Sequence, residues 1–456
     1  MPKDRTRDMT VGAPMPILLS FILPLLLGLL FQQFYAMVDT VVVGNFLGME
    51  ALAGVGSTGS INFLVLGLCN GVCAGFAIPV AQKFGEKDFD GLRNFVGNMI
   101  WLGGIIALIV TAVTTIGCRA ILTAMNTPES TFSYAYDYIF LIFLGIPATM
   151  LYNLLSGILR SLGDSRTPLM FLVFSSLLNV ALDVVCVVTL QMGVAGAGWA
   201  TLISQLISGL LCLLYMDRKF PILHLKRENL VWRGHCVRRL LIMGLPMGLQ
   251  YSITAIGSIL LQTAVNGLGA VSMAAVAASG KVTGLFASPY DAMGTMAATY
   301  AGQNLGAGKL DRVHHGVKDC CILGVAYSLA ALVVMYFLGA QMTALFLDSK
   351  DVASSAQILP LARQLLVTNA AFYIPLLGVN LFRFTIQGLG YSNLAVIAGV
   401  SEMIARGAVA ALVSVFGFTA VCYASPAAWV LADCFLLPAY FVCMKRRTKE
   451  AAAARE

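Results

Sequence analysis

Residues 16–40 read PILLSFILPLLLGLLFQQFYAMVDT, an apolar run that carries a proline at position 24 and closes through Gln32, Gln33 and Tyr35 onto Asp39. A helix crossing a bilayer needs about 20 predominantly apolar residues, so this run has the length of a membrane span. Lys3, Arg5 and Arg7 precede it as they would precede a secretory signal. The run is too long for one, and no small-residue cleavage site follows, so it reads as a retained first helix.

The rest of the chain repeats the pattern. Of 456 residues, 59% are hydrophobic and 11% charged, with a mean hydropathy of +0.84, against about 45–50% and about 25% in a soluble domain. One core plus one anchor cannot absorb so many apolar residues. At roughly 35–38 residues per span and connection, the length holds about twelve spans. A soluble enzyme, a nuclease and a secreted disulfide scaffold are excluded. The eleven cysteines are odd in number, and Cys69, Cys73, Cys186 and Cys212 sit within apolar stretches, as small membrane hydrophobes do. The four histidines, His224, His235, His314 and His315, fall in predicted loops and form no zinc pattern with cysteine.

Cutting at charged and turn-rich stretches places spans near 16–40, 51–80, 94–117, 131–157, 168–190 and 197–216. Six more follow near 240–265, 270–300, 320–346, 364–389, 392–416 and 423–444. The formal charge of +7 is no nucleic-acid footprint, because the basic residues are distributed among short loops. Of the 29 Lys and Arg, 23 fall on the side of the two termini. This bias predicts a multi-pass protein of the cell (plasma or inner) membrane with both termini cytoplasmic.

The chain also repeats internally. AQKFGEKDFD at 81–90 answers GQNLGAGKLD at 302–311, Pro24 answers Pro246, and Leu162-Gly163 answers Leu389-Gly390. The expected fold is therefore an all-α integral membrane protein of twelve transmembrane helices in two six-helix lobes. An even span number per repeat relates the lobes by a pseudo-two-fold axis along the membrane normal. The expected division is an N-terminal lobe at 1–216, a basic cytoplasmic linker at 217–239 and a C-terminal lobe at 240–456. Parallel repeats around a cleft suit alternating access. No G-x-x-x-x-G-K-[ST] motif is present, since Ser279-Gly280-Lys281 is followed by Val282, and no nucleophile with its base is evident. The expectation is a transporter driven by an ion gradient and not an enzyme.

A carboxylate inside a span costs at least about 2.5–3.5 kcal/mol, so each one is a functional candidate. Asp183 follows Asn179 by one helical turn in SSLLNVALDVV, which stacks a carboxyl and an amide on one face. Asp39 belongs to the same lobe, and two close carboxylates must share a proton, bind a cation or pair with a base. Thr201 would add a hydroxyl oxygen, which suits Na⁺. Pro24 should bend the first span. Gln32, Gln33, Tyr35, Tyr138 and Asn153 offer further polar atoms, and Asp137 is a lesser acidic candidate. In the second half, Glu402 and Arg406 are spaced for an intrahelical ion pair. Lys281, Asp291, Arg383 and Asp433 put both signs there without an evident pairing. Gly67, Gly71 and Gly75 mark close helix packing.

These strings resemble the multidrug and toxic compound extrusion (MATE) transporters, and within them the DinF-like branch. The resemblance rests on PLLLGLLFQQFYAMVDTVVVG at 24–44, LRSLGDSRTP at 159–168, LNVALD at 178–183, GAGWAT at 196–201 and GQNLGAGKLDR at 302–312. It implies a monomeric antiporter exporting small organic compounds, cationic or amphipathic, in exchange for Na⁺ or H⁺, with no other cofactor and no nucleic-acid partner. It assigns cation or proton coupling, with a Na⁺ site as one form of it, to Asp39, Asn179, Asp183 and Thr201. It also assigns the helix bend to Pro24 and the substrate cavity to Gln32, Tyr35, Tyr138 and Asn153. The NorM-like branch carries acidic coupling residues in its seventh and tenth helices. Here Gln250 stands near the first, and no Asp or Glu occurs between 352 and 401. The alternative within the superfamily is a flippase of lipid-linked precursors.

Overall fold

The computed structural model describes residues 6–125, 127–347 and 352–453, with the backbone alone at 39–41, 49 and 352–355. Among the described residues the chain is helical and contains no strand. The first half comprises α1 (Pro14–Leu47), α2 (Met49–Ser57), α3 (Gly59–Glu86), α4 (Phe89–Ile116), α5 (Cys118–Ala124), α6 (Glu129–Leu144), α7 (Ile146–Ser161), α8 (Arg166–Asp183) and α9 (Val194–Lys219). The second comprises α10 (Gly234–Asn266), α11 (Ala270–Gly306), α12 (Leu310–Ala344), α13 (Val352–Ala371), α14 (Tyr373–Gly388), α15 (Ser392–Phe416) and α16 (Phe418–Ala453). Ten helical stretches among the described residues are long and apolar enough to cross a membrane, and two bent pairs bring the number to twelve. All twelve expected spans have a counterpart.

Two differences from the sequence reading have local causes. The spans near 131–157 and 364–389 are broken, α6 meeting α7 at 45° and α13 meeting α14 at 52°. Each break is followed by an Ile-Pro pair, Ile146-Pro147 and Ile374-Pro375, whose proline has no N–H to carry the preceding helix onward. The histidines also depart from expectation: His235 lies in α10, and His314 and His315 lie in α12. Polar helix ends run past the apolar stretch, so a polar residue beyond the core is still helical.

The internal repeat is written in the backbone. Positive φ angles occur in four corresponding pairs: Gly48 and Gly269 (85° and 89°), Lys87 and Gly308 (60° and 68°), Gly163 and Gly390 (81° and 94°), and Gly193 and Gly417 (63° and 58°). The hydrogen bonds match as well. Lys87 N–H reaches the Phe84 carbonyl and Asp88 N–H reaches Lys83; Gly308 and Lys309 repeat this on Leu305 and Asn304. Left-handed closures of this kind stop a helix and satisfy its last carbonyls.

The chain divides into two compact units, the first made of Met1–Met9 and Leu23–Gly248, the second of Thr10–Ile22 and Leu249–Glu456. Both helices that change unit do so beside an interior proline, Pro24 in α1 and Pro246 in α10. Within the first unit, α3 and the start of α10 approach through facing glycines. A Cβ on Gly71 would lie 2.5 Å from the Met247 carbonyl oxygen, and one on Gly75 would lie 2.5 Å from Gly244 Cα. Facing small residues let the backbones approach closely, the close packing anticipated for this stripe.

The basic stretch before α10 is fastened to α4. Asn98 Oδ1 accepts from Arg233 N–H (2.9 Å), Trp101 Nε1 donates to Leu230 O (2.9 Å), and Asn229 Nδ2 donates to Asn94 Oδ1 (2.9 Å). Gly97 leaves the room for it, since a Cβ there would lie 2.0 Å from the Asn229 carbonyl oxygen.

Candidate functional site

In the first unit, α8 and α9 bring together three of the four expected coupling residues. Asn179 and Asp183 are 2% and 0% exposed and stand one turn apart on α8. Asn179 Nδ2 donates to Thr201 Oγ1 (3.3 Å), and Thr201 donates onward to the Ala197 carbonyl (3.1 Å). Because Asn179 spends its amide nitrogen on Thr201, its Oδ1 is left buried with no hydrogen-bond partner among the described residues. An unsatisfied buried acceptor costs about 1–3 kcal/mol, which a cation or a proton donor would recover. Asp39 lies on α1, but its side chain is outside the described residues, and so is its expected meeting with Asp183. Directly after Asp183 the helix widens into a π-helix, Val184–Thr189. Such widenings are rare and recur at functional sites.

Thr201 also lines a chamber of about 120 Å³ within the same unit. Gln32 and Tyr35 from α1, Tyr138 from α6 and Asn153 from α7 line it too, so all four expected cavity residues face one space. The chamber adds Asn62, Asn70, Thr149 and Gln205 to the polar lining, with Leu66, Leu141, Ile142, Leu172 and Leu202 as apolar walls. One hydroxyl thus belongs both to the chamber and to the Asn179 contact. Asp137 is exposed on α6 and is not part of this lining.

The second unit gathers three of its expected charges. Arg383 of α14 donates through Nη2 to Glu402 Oε1, and Arg406 Nη2 stands 3.3 Å from Glu402 Oε2. All three are buried. The intrahelical pair anticipated from spacing is therefore half of a two-arginine clamp on one carboxylate. Asp433 of α16 lies against Gly378, where a Cβ would sit 2.3 Å from its Oδ2. Asp291 is exposed on α11, and neither it nor Asp433 joins an ion pair among the described residues. Lys281 is exposed on α11 and joins no ion pair among the described residues. Gln250 donates no charge here but accepts from Gln387 Nε2 at 2.7 Å.

The MatE family model matches residues 24–185 and 246–418, one block in each half. The chain belongs to the MatE family. The family expectation from the sequence is met; the matches do not separate its branches. Among relatives, this MatE protein is 28% identical over 383 residues to the probable multidrug resistance protein YpnP of Bacillus subtilis, covering 84% of this chain and 83% of that one. It is 22% identical over 331 residues to the FAD transporter of Shewanella oneidensis, covering 70% and 71%. Its fold matches a solved MATE structure in complex with MaL6 with a TM-score of 0.89 at 20% identity, over 98% of this chain and 100% of that one. The MatE chain is accordingly a multi-pass, all-helical membrane protein.

Sequence reasoning missed part of what the MatE fold assembles. Asn62, Leu66 and Asn70 are four residues apart and line the chamber from one face of α3; that spacing was visible in the sequence. The Arg383–Glu402 contact joins two helices across 19 residues and a turn, and no local pattern announces it.

Proposed function

We propose that this protein is a secondary active antiporter that exports small, amphipathic organic compounds in exchange for Na⁺ or H⁺ by alternating access. Coupling would reside in the first unit at Asp39, Asn179, Asp183 and Thr201. Substrate would occupy the chamber bounded by Gln32, Tyr35, Tyr138 and Asn153. The observation that carries this reading is Thr201, which lines the chamber and touches Asn179, one turn from Asp183. Occupation of the carboxylate site and occupation of the chamber then act on one hydroxyl. Ligands that alter the same contact are energetically linked, and the linkage is reciprocal. The oxygen set of a carboxylate, an amide oxygen and a hydroxyl suits a hard cation, and a desolvated carboxyl pair suits a proton. The names of the relatives, a multidrug resistance protein and an FAD transporter, support small organic cargo. We further propose that the protein acts as a monomer with both termini in the cytoplasm, and that the lobes are 1–216 and 240–456 joined by a linker at 217–239.

A lipid-linked precursor flippase would need cations for pyrophosphate. Arg383 and Arg406 are both committed to Glu402, which weighs against that alternative.

The test is accumulation of fluorescent organic compounds in cells that express the protein. Asp39→Asn or Asp183→Asn should each raise accumulation to the level of cells without the protein, with membrane abundance unchanged. Undiminished export in both variants would sink the mechanism.

A further inference from the structure

The chamber in the first unit is walled entirely by uncharged side chains among the described residues. Its polar groups are amides and hydroxyls, and the amide orientations follow from their bonds. Asn153 Nδ2 donates to the Thr149 carbonyl (2.9 Å) and to Asn70 Oδ1 (2.8 Å). Turned over, Asn153 would set its own oxygen against the Thr149 carbonyl, acceptor against acceptor, so the orientation is fixed. Both N–H groups of Asn153 are then used, and Asn70 must present its oxygen to it. What remains is complementary: Asn70 Nδ2 is a donor without a partner among the described residues, and Asn153 Oδ1 is an acceptor without one. A second acceptor, Asn62 Oδ1, is buried with no hydrogen bond. All three side chains line the chamber.

We propose that this chamber selects neutral compounds that present an amide or imide edge, with ring N–H groups beside a carbonyl. This deepens, and rests on, the export reading above. A ring N–H would satisfy Asn153 Oδ1 or Asn62 Oδ1 while the adjacent carbonyl accepts from Asn70. The rings of Tyr35 and Tyr138 and the aliphatic walls would hold a planar apolar body. A permanent organic cation without N–H groups leaves the amide oxygens unpaired, and sites built to hydrogen-bond a group discriminate strongly against analogues that lack it.

The probe is lumichrome, a neutral fluorescent tricycle whose pyrimidine ring carries two N–H groups and two carbonyls. Its control is the N1,N3-dimethyl derivative, which keeps the carbonyls and removes both donors. Binding to the full-length protein in nanodiscs is read by fluorescence anisotropy against empty nanodiscs. The same ligands, with tetramethylrhodamine methyl ester as a permanent cation that carries no N–H, are also tested for gradient-driven movement in proteoliposomes. Lumichrome should bind at least about tenfold more tightly than its dimethyl derivative, and Asn153→Leu should erase the difference. Equal binding of the two compounds, or tighter binding of the tetramethylrhodamine ester than of lumichrome, overturns the proposal without needing any variant to fold. Selective lumichrome binding with no gradient-driven movement of any ligand supports the chamber's selectivity and rejects the export reading. Movement of the tetramethylrhodamine ester with no lumichrome binding does the reverse.

Discussion

Asn179 gives its nitrogen to Thr201 and keeps its oxygen, and that single orientation decides what the buried pair would offer the coupling ion proposed above. The sequence supplied the candidates by spacing alone: an amide one turn from a carboxylate is legible because helical periodicity is legible. The acceptor that Asn179 finds is not, since it depends on where α9 places Thr201. A residue outside the membrane gives a clearer pH test. Asp88 caps α4 by accepting from Gly91 N–H (2.8 Å) and lies 2.9 Å from Lys83 Nζ. The hydrogen bond from Lys83 holds its carboxyl below the ordinary carboxylate range, helped by the Gly91 N–H. With the folded pKa depressed, the stabilisation is fully present above the unfolded value of about 4 and is lost as pH falls through the lower folded value. Asp88→Ala should therefore cost about 1 kcal/mol near neutrality. Its deficit relative to the parent should shrink on acidification below about pH 4. Thermal unfolding in detergent across pH checks this, and a pH-independent deficit would contradict the assignment.

At the scale of elements, glycine and proline positions did most to shape the helices, and their meaning was only partly readable. The Gly71 and Gly75 stripe announced close packing but not its partner, because α10 follows far along the chain. Gly75→Val should force α3 away from α10, at about 1–3 kcal/mol for overpacking. Gly104→Val is the control, since nothing lies within 4 Å of a Cβ there. A lower unfolding midpoint for the first variant and an unchanged one for the second is the expected result. The clamp of α14 on α15 gives a second test. Glu402→Gln leaves two buried arginines without their counter-charge, so it should cost about 3–5 kcal/mol. Replacing Arg383, Glu402 and Arg406 together by Met, Leu and Met should cost much less. Equal midpoints for Glu402→Gln and the parent would show that the clamp does not hold these helices together.

For the molecule as a whole, the repeat was legible as three weak sequence matches, yet its strongest expression is conformational. Gly48 with Gly269 and Gly193 with Gly417 are paired by backbone angle, and Lys87 answers a glycine, so residue identity alone understates the correspondence. Twelve spans could be counted from hydropathy because each must bury about 20 apolar residues. The clustering of 1–9 with 23–248, and of 10–22 with 249–456, could not, because it depends on which tertiary contacts α1 and α10 make on either side of Pro24 and Pro246. In the antiport mechanism proposed above, a gradient acting through the Asp183 site drives movement of cargo from the chamber. The most direct measurement loads proteoliposomes with a fluorescent organic compound and imposes a Na⁺ gradient or a pH gradient separately, with Asp183→Asn alongside. Efflux should be driven by at least one gradient and abolished in the variant. Efflux that ignores both gradients, or that persists in Asp183→Asn, would overturn the mechanism.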